Sequence, residues 1–328
     1  MILVTGANGL LGSFILRKLV AEGESVIALK RKTSDTHLTD DLKGKIAWRD
    51  ADVTDTISLN ESFKDATIVI HAAAMVSFNP REEDQLYKVN VEGTKNVVNA
   101  CLTNNIKKLI HISSVAALGR QKGSSILDEN SKWIESPLNS AYAKSKYLAE
   151  LEVYRGIEEG LPASIINPSF ILAPSDWAKS SSQMFHYIWK EKRFYSGGQA
   201  NYVDVEDVAE IIFKLCKQNF VGERFIASAG TISFKELFEQ MAHRLKKKAP
   251  SIKVGSQLLT AFALIEEIRC RLFGTKPLIT RESVKATKEI FTYSNKKSIE
   301  HLNMKYKTLS ETLDRCCDYY QRTYSTKK

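Results

Sequence analysis

No uninterrupted apolar run in this sequence exceeds five residues (Ala261–Ile265), whereas a helix that crosses a bilayer needs about 20. A membrane span is excluded on that ground. Cysteine is scarce: Cys101, Cys216, Cys270, Cys316 and Cys317 form no CxxC pair and no regular spacing. An odd, unpatterned set reads as reduced, packed thiols in a cytoplasmic protein, and the adjacent Cys316-Cys317 as packed rather than redox-active. The six histidines show no metal-ligand spacing, so no metal is expected. His71 and His111, at the ends of strand candidates, are read as packed or backbone-bonded side chains. The GxSxG elbow of many serine hydrolases is missing, which argues against that chemistry despite Ser113-Ser114. Met1 is followed directly by Ile2-Leu3-Val4 and Thr5-Gly6, without a basic segment, so no secretory leader is expected.

What is present is a chain of 328 residues, 43% hydrophobic and 26% charged, enough for one large domain or two fused lobes. The net charge of +9 is uneven. Residues 241–328 hold 19 Lys and Arg against 8 Asp and Glu, and the rest of the chain holds 28 against 30. The late cations are spread over several amphipathic segments, so a solvated basic face is expected and no nucleic acid.

Short, apolar strand candidates at Ile2–Thr5, Ser25–Leu29, Ile46–Trp48, Thr67–His71, Lys108–Ile112 and Ala163–Ile166 alternate with helical patterns at Leu10–Glu22, Glu82–Asn104 and Ala141–Glu159. That rhythm predicts a Rossmann-type, doubly wound parallel α/β sheet. After Pro168 the pattern changes: a helix near Gln183–Glu191, a Gly197-Gly198 turn, a strand at Tyr202-Val203 and a helix at Val205–Cys216. Mostly helical segments follow, including amphipathic Ser256–Phe273, read as closing over a pocket or the core. The expected division is a dinucleotide-binding domain over 1–167, to which about 201–230 return, and a smaller substrate lobe over 168–328.

Between the first strand and the first helix stands Thr5-Gly6-Ala7-Asn8-Gly9-Leu10-Leu11-Gly12. Gly6 permits the tight turn, Gly9 lets backbone approach a pyrophosphate, and Gly12 allows close packing of helix on strand. The flanks and the spacing together predict a dinucleotide site. At the end of the second strand the chain reads Leu29-Lys30-Arg31-Lys32-Thr33-Ser34, with no acid before Asp35. Arg31 and Lys32 there suit a 2′-phosphate, which points to NADP, with NAD the alternative. Asp52 and Val53, after the third strand, are placed to meet the adenine. Tyr142 and Lys146, four apart in a helical stretch, share one face. An ammonium beside a phenol favours phenolate and is expected to lower the Tyr142 pKa, making it a proton donor to a carbonyl oxygen or an acceptor from an alcohol.

On TGxxGxxG at Thr5–Gly12 and YxxxK at Tyr142–Lys146 the chain resembles the extended short-chain dehydrogenase/reductases, the NAD-dependent epimerase/dehydratase superfamily, over nearly its whole length. The resemblance implies that Ala72 and Ala73, in His71-Ala72-Ala73, lie under the cofactor. It also implies that Asn90, in Asn90-Val91-Glu92-Gly93-Thr94, belongs to the site, and that the serine after the fifth strand polarises the substrate oxygen. Counting back from Gly119 favours Ser114 over Ser113 for that role. Asp128-Glu129 with Trp133, and Asn167-Pro168-Ser169 leading to Ala173-Pro174, are similar to the dihydroflavonol reductase and cinnamoyl-CoA reductase branch, as is Lys276–Thr280. Ala173 departs from that branch, which usually has glycine there. Asn167 and Ser169 are then expected beside the cofactor, and Ser77, Phe78 and Tyr202 along the substrate pocket.

The expected activity is an NADP(H)-dependent hydride transfer on a small carbonyl or alcohol substrate with Ser114, Tyr142 and Lys146. Two alternatives stay open: a nucleotide-sugar epimerase or dehydratase holding NAD tightly, and a non-catalytic NADP-binding redox sensor. The resemblance also implies a possible homodimer through the helices carrying Asn90–Asn104 and Tyr142–Glu159.

Overall fold

The computed structural model describes residues 1–119, 126–136, 139–177, 181–255, 257–261 and 291–324. Cys270, the Lys276–Thr280 segment and all of Ser256–Phe273 except residues 257–261 lie outside the described residues.

The first part of the chain runs β1 (Ile2–Thr5), α1 (Leu10–Ala21), β2 (Val26–Lys30), β3 (Ala47–Asp50), α2 (Thr56–Ser62), β4 (Ile68–His71), α3 (Glu83–Tyr87), α4 (Gly93–Thr103), β5 (Lys108–Ile112), β6 (Ile126–Leu127), α5 (Ala141–Glu158) and β7 (Ala163–Pro168). The second part runs β8 (Phe170–Leu172), α6 (Ser182–Trp189), β9 (Phe194–Ser196), β10 (Gln199–Asp204), α7 (Val205–Lys217), β11 (Arg224–Ala227), β12 (Gly230–Ser233), α8 (Phe234–Leu245), β13 (Ile252–Val254), β14 (Thr292–Tyr293), α9 (Lys296–Leu302) and α10 (Leu309–Tyr324).

Seven strands form one parallel sheet in the order β11-β7-β5-β4-β1-β2-β3. This is the Rossmann-type doubly wound sheet expected from the strand–helix rhythm. Alternate residues of each strand feed opposite layers. Leu3, Ile27, Val69 and Leu109 meet Val97 and Val98 of α4 and Val153 of α5. Val4, Ala28, Ile70 and Ile110 meet Leu16 and Leu19 of α1 and Val208, Ile212 and Leu215 of α7. Burial on both faces explains why the strands read as unbroken apolar runs. Each such side chain contributes about 1.5–3 kcal/mol.

A second body of structure follows β7. The sheet β12-β10-β8 and helices α6, α8 and α10 enclose a third core around Phe185, Leu237, Met241, Leu313 and Tyr320. The adjacent Cys316 and Cys317 are buried in it as free thiols, and burial raises both their pKa values. The chain nevertheless returns to the first sheet, because α7 lies against α1 and β11 pairs with β7. The helix expected over Glu82–Asn104 forms as a continuous helical run, in which a π-helical turn at Lys88–Glu92 joins α3 to α4. β11 and α2 form although neither carries a strong signal in the sequence. Among the described residues no helix is long and apolar enough to cross a membrane.

Candidate active site

The strand order reverses between β1 and β4, the switch point at which open α/β sheets bind ligands beyond the carboxyl ends of the strands. A cleft of about 510 Å³ opens there, lined on one side by Gly6 and Gly9 and on the other by Ala72 and Ala73. Gly6 has φ +64°, and a Cβ on it would lie 2.6 Å from the backbone nitrogen of Ala73. A Cβ on Gly12 would stand 2.2 Å from the Gly6 carbonyl oxygen, so Gly12 seats α1 on the loop while Leu11 packs into the core beside it. No side chain caps α1, whose N-cap is Gly9, and its first turn, opening with Leu10, carries no acid. The positive end of the helix is thus left for an anion. The Thr5 hydroxyl accepts from the Ala73 N–H at 3.1 Å and meets His71 Nδ1 at 2.8 Å, tying the two sides of the switch together.

The far end of the cleft is formed by Lys30, Arg31, Ser34, Asp52 and Val53. Lys30 is committed to Asp50 at 2.6 Å. Exposed Arg31 makes no ion pair among the described residues, which leaves a free guanidinium at the rim. Lys32 is exposed but does not line the cleft. Asp52 accepts from the Thr54 N–H and hydroxyl at 2.9 and 2.8 Å, which holds its turn at the cleft wall. Asn8 donates to the Asp35 carbonyl at 3.0 Å.

Asn90 sits in the π turn, buried. Its amide accepts from the Met75 N–H at 2.7 Å and donates to the Met75 carbonyl at 2.9 Å and to Ser145 Oγ at 3.0 Å. It therefore shapes the Met75 wall of the cleft with its side chain fully engaged inside the protein.

At the reacting end, Ser140 caps α5 and starts the helix two residues before Tyr142. The Ser114 hydroxyl accepts from the Ala116 N–H at 3.1 Å and lies close enough to the Tyr142 phenol to act on its pKa, whereas Ser113 is buried with no partner for its own hydroxyl among the described residues. Of the two serines, then, Ser114 is the one beside the phenol. Phe78 meets the Tyr142 ring edge-on, with centroids 5.9 Å apart. Lys146, one turn along, is buried and donates to the Ile112 carbonyl at 2.8 Å. Burial lowers its pKa to about 8, against an opposing pull from Glu150.

The Tyr142 pKa departs from the expectation. Burial raises it above the usual phenol value, and only the nearby Ser114 hydroxyl acts the other way. The Lys146 ammonium is turned to the end of β5, so it does not act on the phenol as the bare four-residue spacing suggested. The phenol of the ligand-free protein is accordingly a loaded acid.

Asn167 and Ser169 flank the same end of the sheet. Asn167 Nδ2 donates to the Ser114 carbonyl at 2.8 Å and to Glu150 Oε1 at 2.7 Å. Asn167 Oδ1, Ser169 Oγ and Ser113 Oγ are buried without partners among the described residues. Unsatisfied polar atoms are rare in folded interiors, and three at the carboxyl ends of neighbouring strands fit a polar ligand group. With the glycine cradle, the uncapped helix and the free Arg31, they fit a dinucleotide.

Of the expected substrate-side residues, Phe78 meets Tyr142. The Ser77 hydroxyl is engaged with Glu82 at 2.6 Å. Tyr202 packs with the third core, and burial raises its pKa. Ala173 is fully buried, and its carbonyl accepts from the Tyr320 hydroxyl at 3.4 Å. His71 and His111 pack ring to ring, 5.2 Å apart. His71 bonds Thr5 and Thr94. Sequence reasoning missed Thr5, Met75, Ser145 and Glu150, although Glu150 follows Lys146 by one helical turn.

The sequence model of the NAD dependent epimerase/dehydratase family matches residues 2–227. The chain belongs to that family. Family members similar to it include a protein named as a putative dihydroflavonol 4-reductase from Synechocystis sp., 26% identical over 97% of this chain and 94% of the relative. Cinnamoyl-CoA reductase 1 from Oryza sativa subsp. japonica is 28% identical over 76% of this chain and 77% of its own length. The crystal structure of gox2253 superposes with a TM-score of 0.85 at 30% identity, covering 100% of this chain and 99% of the other. Family membership and the dihydroflavonol reductase-like relatives make the protein an NAD(P)-dependent enzyme of the extended short-chain dehydrogenase type.

Proposed function

We infer that the protein is an NADP(H)-dependent reductase of a small carbonyl compound, or the corresponding alcohol dehydrogenase in reverse. Tyr142 and Lys146 one helical turn apart on α5, with the Lys146 ammonium on the Ile112 carbonyl two residues before Ser114, carry this reading. Gly6, Gly9 and the first turn of α1 would hold the pyrophosphate, Asp52 and Val53 would flank the adenine, and Arg31 would pair with a 2′-phosphate. The bound dinucleotide supplies the hydride. Tyr142 delivers the phenolic proton to the substrate oxygen, and Ser114 orients that oxygen and then steadies the phenolate. Lys146, partly protonated near its pKa of about 8, holds a positive charge on the Ile112 carbonyl at the end of β5. Phe78 supplies an apolar wall beside the phenol. Ser77 and Tyr202 stay in the reading as outer parts of the substrate pocket. The unpaired, buried thiols Cys101, Cys216, Cys316 and Cys317 support a cytoplasmic setting, and pairing of two copies through α4 and α5 belongs to the same reading.

The test is oxidation of NADPH against NADH over a panel of aldehydes and ketones. Tyr142→Phe is expected to abolish turnover and leave NADPH binding intact by fluorescence titration. Undiminished turnover in that variant, or lost binding, overturns the role of Tyr142 as the proton donor.

A further inference from the structure

Glu150 is a carboxylate with no exposure at all, on the face of α5 that already carries Tyr142 and Lys146 at intervals of four residues. A buried charge is costly unless it is paired and hydrogen-bonded. Here both oxygens are engaged: Oε1 accepts from Asn167 Nδ2 at 2.7 Å, and Oε2 accepts from Arg224 Nη2 at 2.5 Å. These contacts join three elements, α5, β7 and β11. They also reach a fourth, since the Asn167 amide that donates to Glu150 donates also to the Ser114 carbonyl at 2.8 Å. Arg224 is held in turn over the Tyr154 ring, 5.9 Å from its centroid.

We propose that Glu150 is a positioning residue for the hydride-transfer site: through Asn167 it fixes the Ser114 turn relative to Tyr142, and from the same helix it sets a buried carboxylate one turn from Lys146. The proposal rests on the roles inferred above for Ser114, Tyr142 and Lys146. An apolar residue of similar volume would fill the position, but it would leave Arg224 and Asn167 without their acceptor. It would also remove the negative charge that faces Lys146 from its own helix. The other titratable groups facing Lys146 are His71 at the end of β4 and His111 on β5, whose pKa values burial lowers so that both are neutral at pH 7. Burial acts against the ammonium and Glu150 acts for it, so loss of Glu150 moves the Lys146 titration to lower pH. Loss of Arg224, which draws on the same carboxylate, moves it to higher pH.

The experiment uses full-length protein labelled with 13Cε-lysine, with the Lys146 resonance assigned by its disappearance in Lys146→Met. In the native protein the Lys146 resonance should titrate near pH 8. Glu150→Gln keeps an acceptor for Asn167 and should shift that titration downward. Arg224→Gln, at a residue with 13% side-chain exposure, should shift it upward and stands in if Glu150→Gln does not fold. In NADPH-dependent turnover, Glu150→Gln should lower kcat on the order of ten- to a hundred-fold, leave KM for NADPH within about two-fold, and move the alkaline limb to lower pH. Glu150→Asp should recover part of kcat. An unmoved Lys146 titration in both folded variants overturns the proposal, as does an unchanged kcat and pH profile. A native protein with no turnover on any carbonyl defeats the reductase reading instead, and the NMR titration still decides the role of Glu150.

Discussion

At the scale of the residue, the Arg31 charge and the Tyr142 proton bear most directly on the proposed chemistry. Arg31 stands exposed with no ion-pair partner among the described residues, while its neighbour Lys30 is tied to Asp50. A charge-assisted hydrogen bond contributes about 1.5–3 kcal/mol. Arg31→Ala should therefore raise KM for NADPH by about ten-fold or more and barely affect NADH. Steady-state kinetics with both nucleotides checks this, and equal losses would remove Arg31 from 2′-phosphate recognition. At the reacting end, the Tyr142 proton is held by burial. A neutral phenol is a ready acid for reduction. The pair Tyr142 and Lys146 was legible from spacing alone. The direction of the phenol pKa was not, because it depends on where the Lys146 ammonium points.

At the scale of the element, the π turn that joins α3 to α4 is the informative departure. A uniform α-helix over Glu82–Asn104 fits the apolar periodicity, since one wider turn barely disturbs the spacing of the flanking apolar residues. The π turn at Lys88–Glu92 inserts Asn90 toward the loop after β4, where it satisfies both backbone groups of Met75. π turns of this kind often sit at functional sites. Asn90→Ala would strand those backbone groups at a cost of about 1–3 kcal/mol. The expected outcome is a lowered unfolding midpoint together with a raised Kd for NADPH, read by denaturation and by nucleotide titration. An unchanged Kd would mean that the Met75 wall does not bear on the nucleotide. β11 is hidden in the sequence for a different reason: Arg-Phe-Ile-Ala is too short to stand out, and only pairing with β7 makes it a strand.

At the scale of the whole molecule, the sheet buries two neutral histidines that would charge in an unfolded chain. Burial, with the nearby Lys146 ammonium, lowers the His71 pKa to about 3 and carries His111 well below its ordinary value of 6.5. Each binds fewer protons folded than unfolded, so stability is full above about pH 6.5 and is lost as pH falls toward the folded value. For His71 this amounts to about 2 kcal/mol at pH 5, taking 1.4 kcal/mol per unit, and His111 adds in the same direction. His37 works oppositely. Despite some burial, its bonds to Asp176 and Asp35 raise its pKa, so its contribution is present below about pH 6.5 and fades as pH rises. His37 is partly exposed, so solvent screens its pairs and the two buried histidines prevail. Urea unfolding at pH 7.5 and pH 5 should show a clear loss at the lower pH, and a flat profile would contradict the neutral, buried state of both rings.

The sequence by itself determined the α/β sheet, the glycine cradle, the basic end of β2 and the spacing of Tyr142 and Lys146. These are local: a turn needs particular backbone freedom, a doubly buried strand needs an apolar run, and residues four apart share a helix face wherever the helix goes. Tertiary structure alone decided that the Ser114 hydroxyl lies beside the Tyr142 phenol and that Tyr202 serves the third core. The same holds for the Lys146 ammonium at the end of β5, and for Glu150, Asn167 and Arg224 as one buried network. Those outcomes join residues from β5, α5, β7, β11 and α10, brought together by the packing of whole elements. Spacing along the chain carries no record of which side chains that packing leaves unpaired, buried or facing a charge.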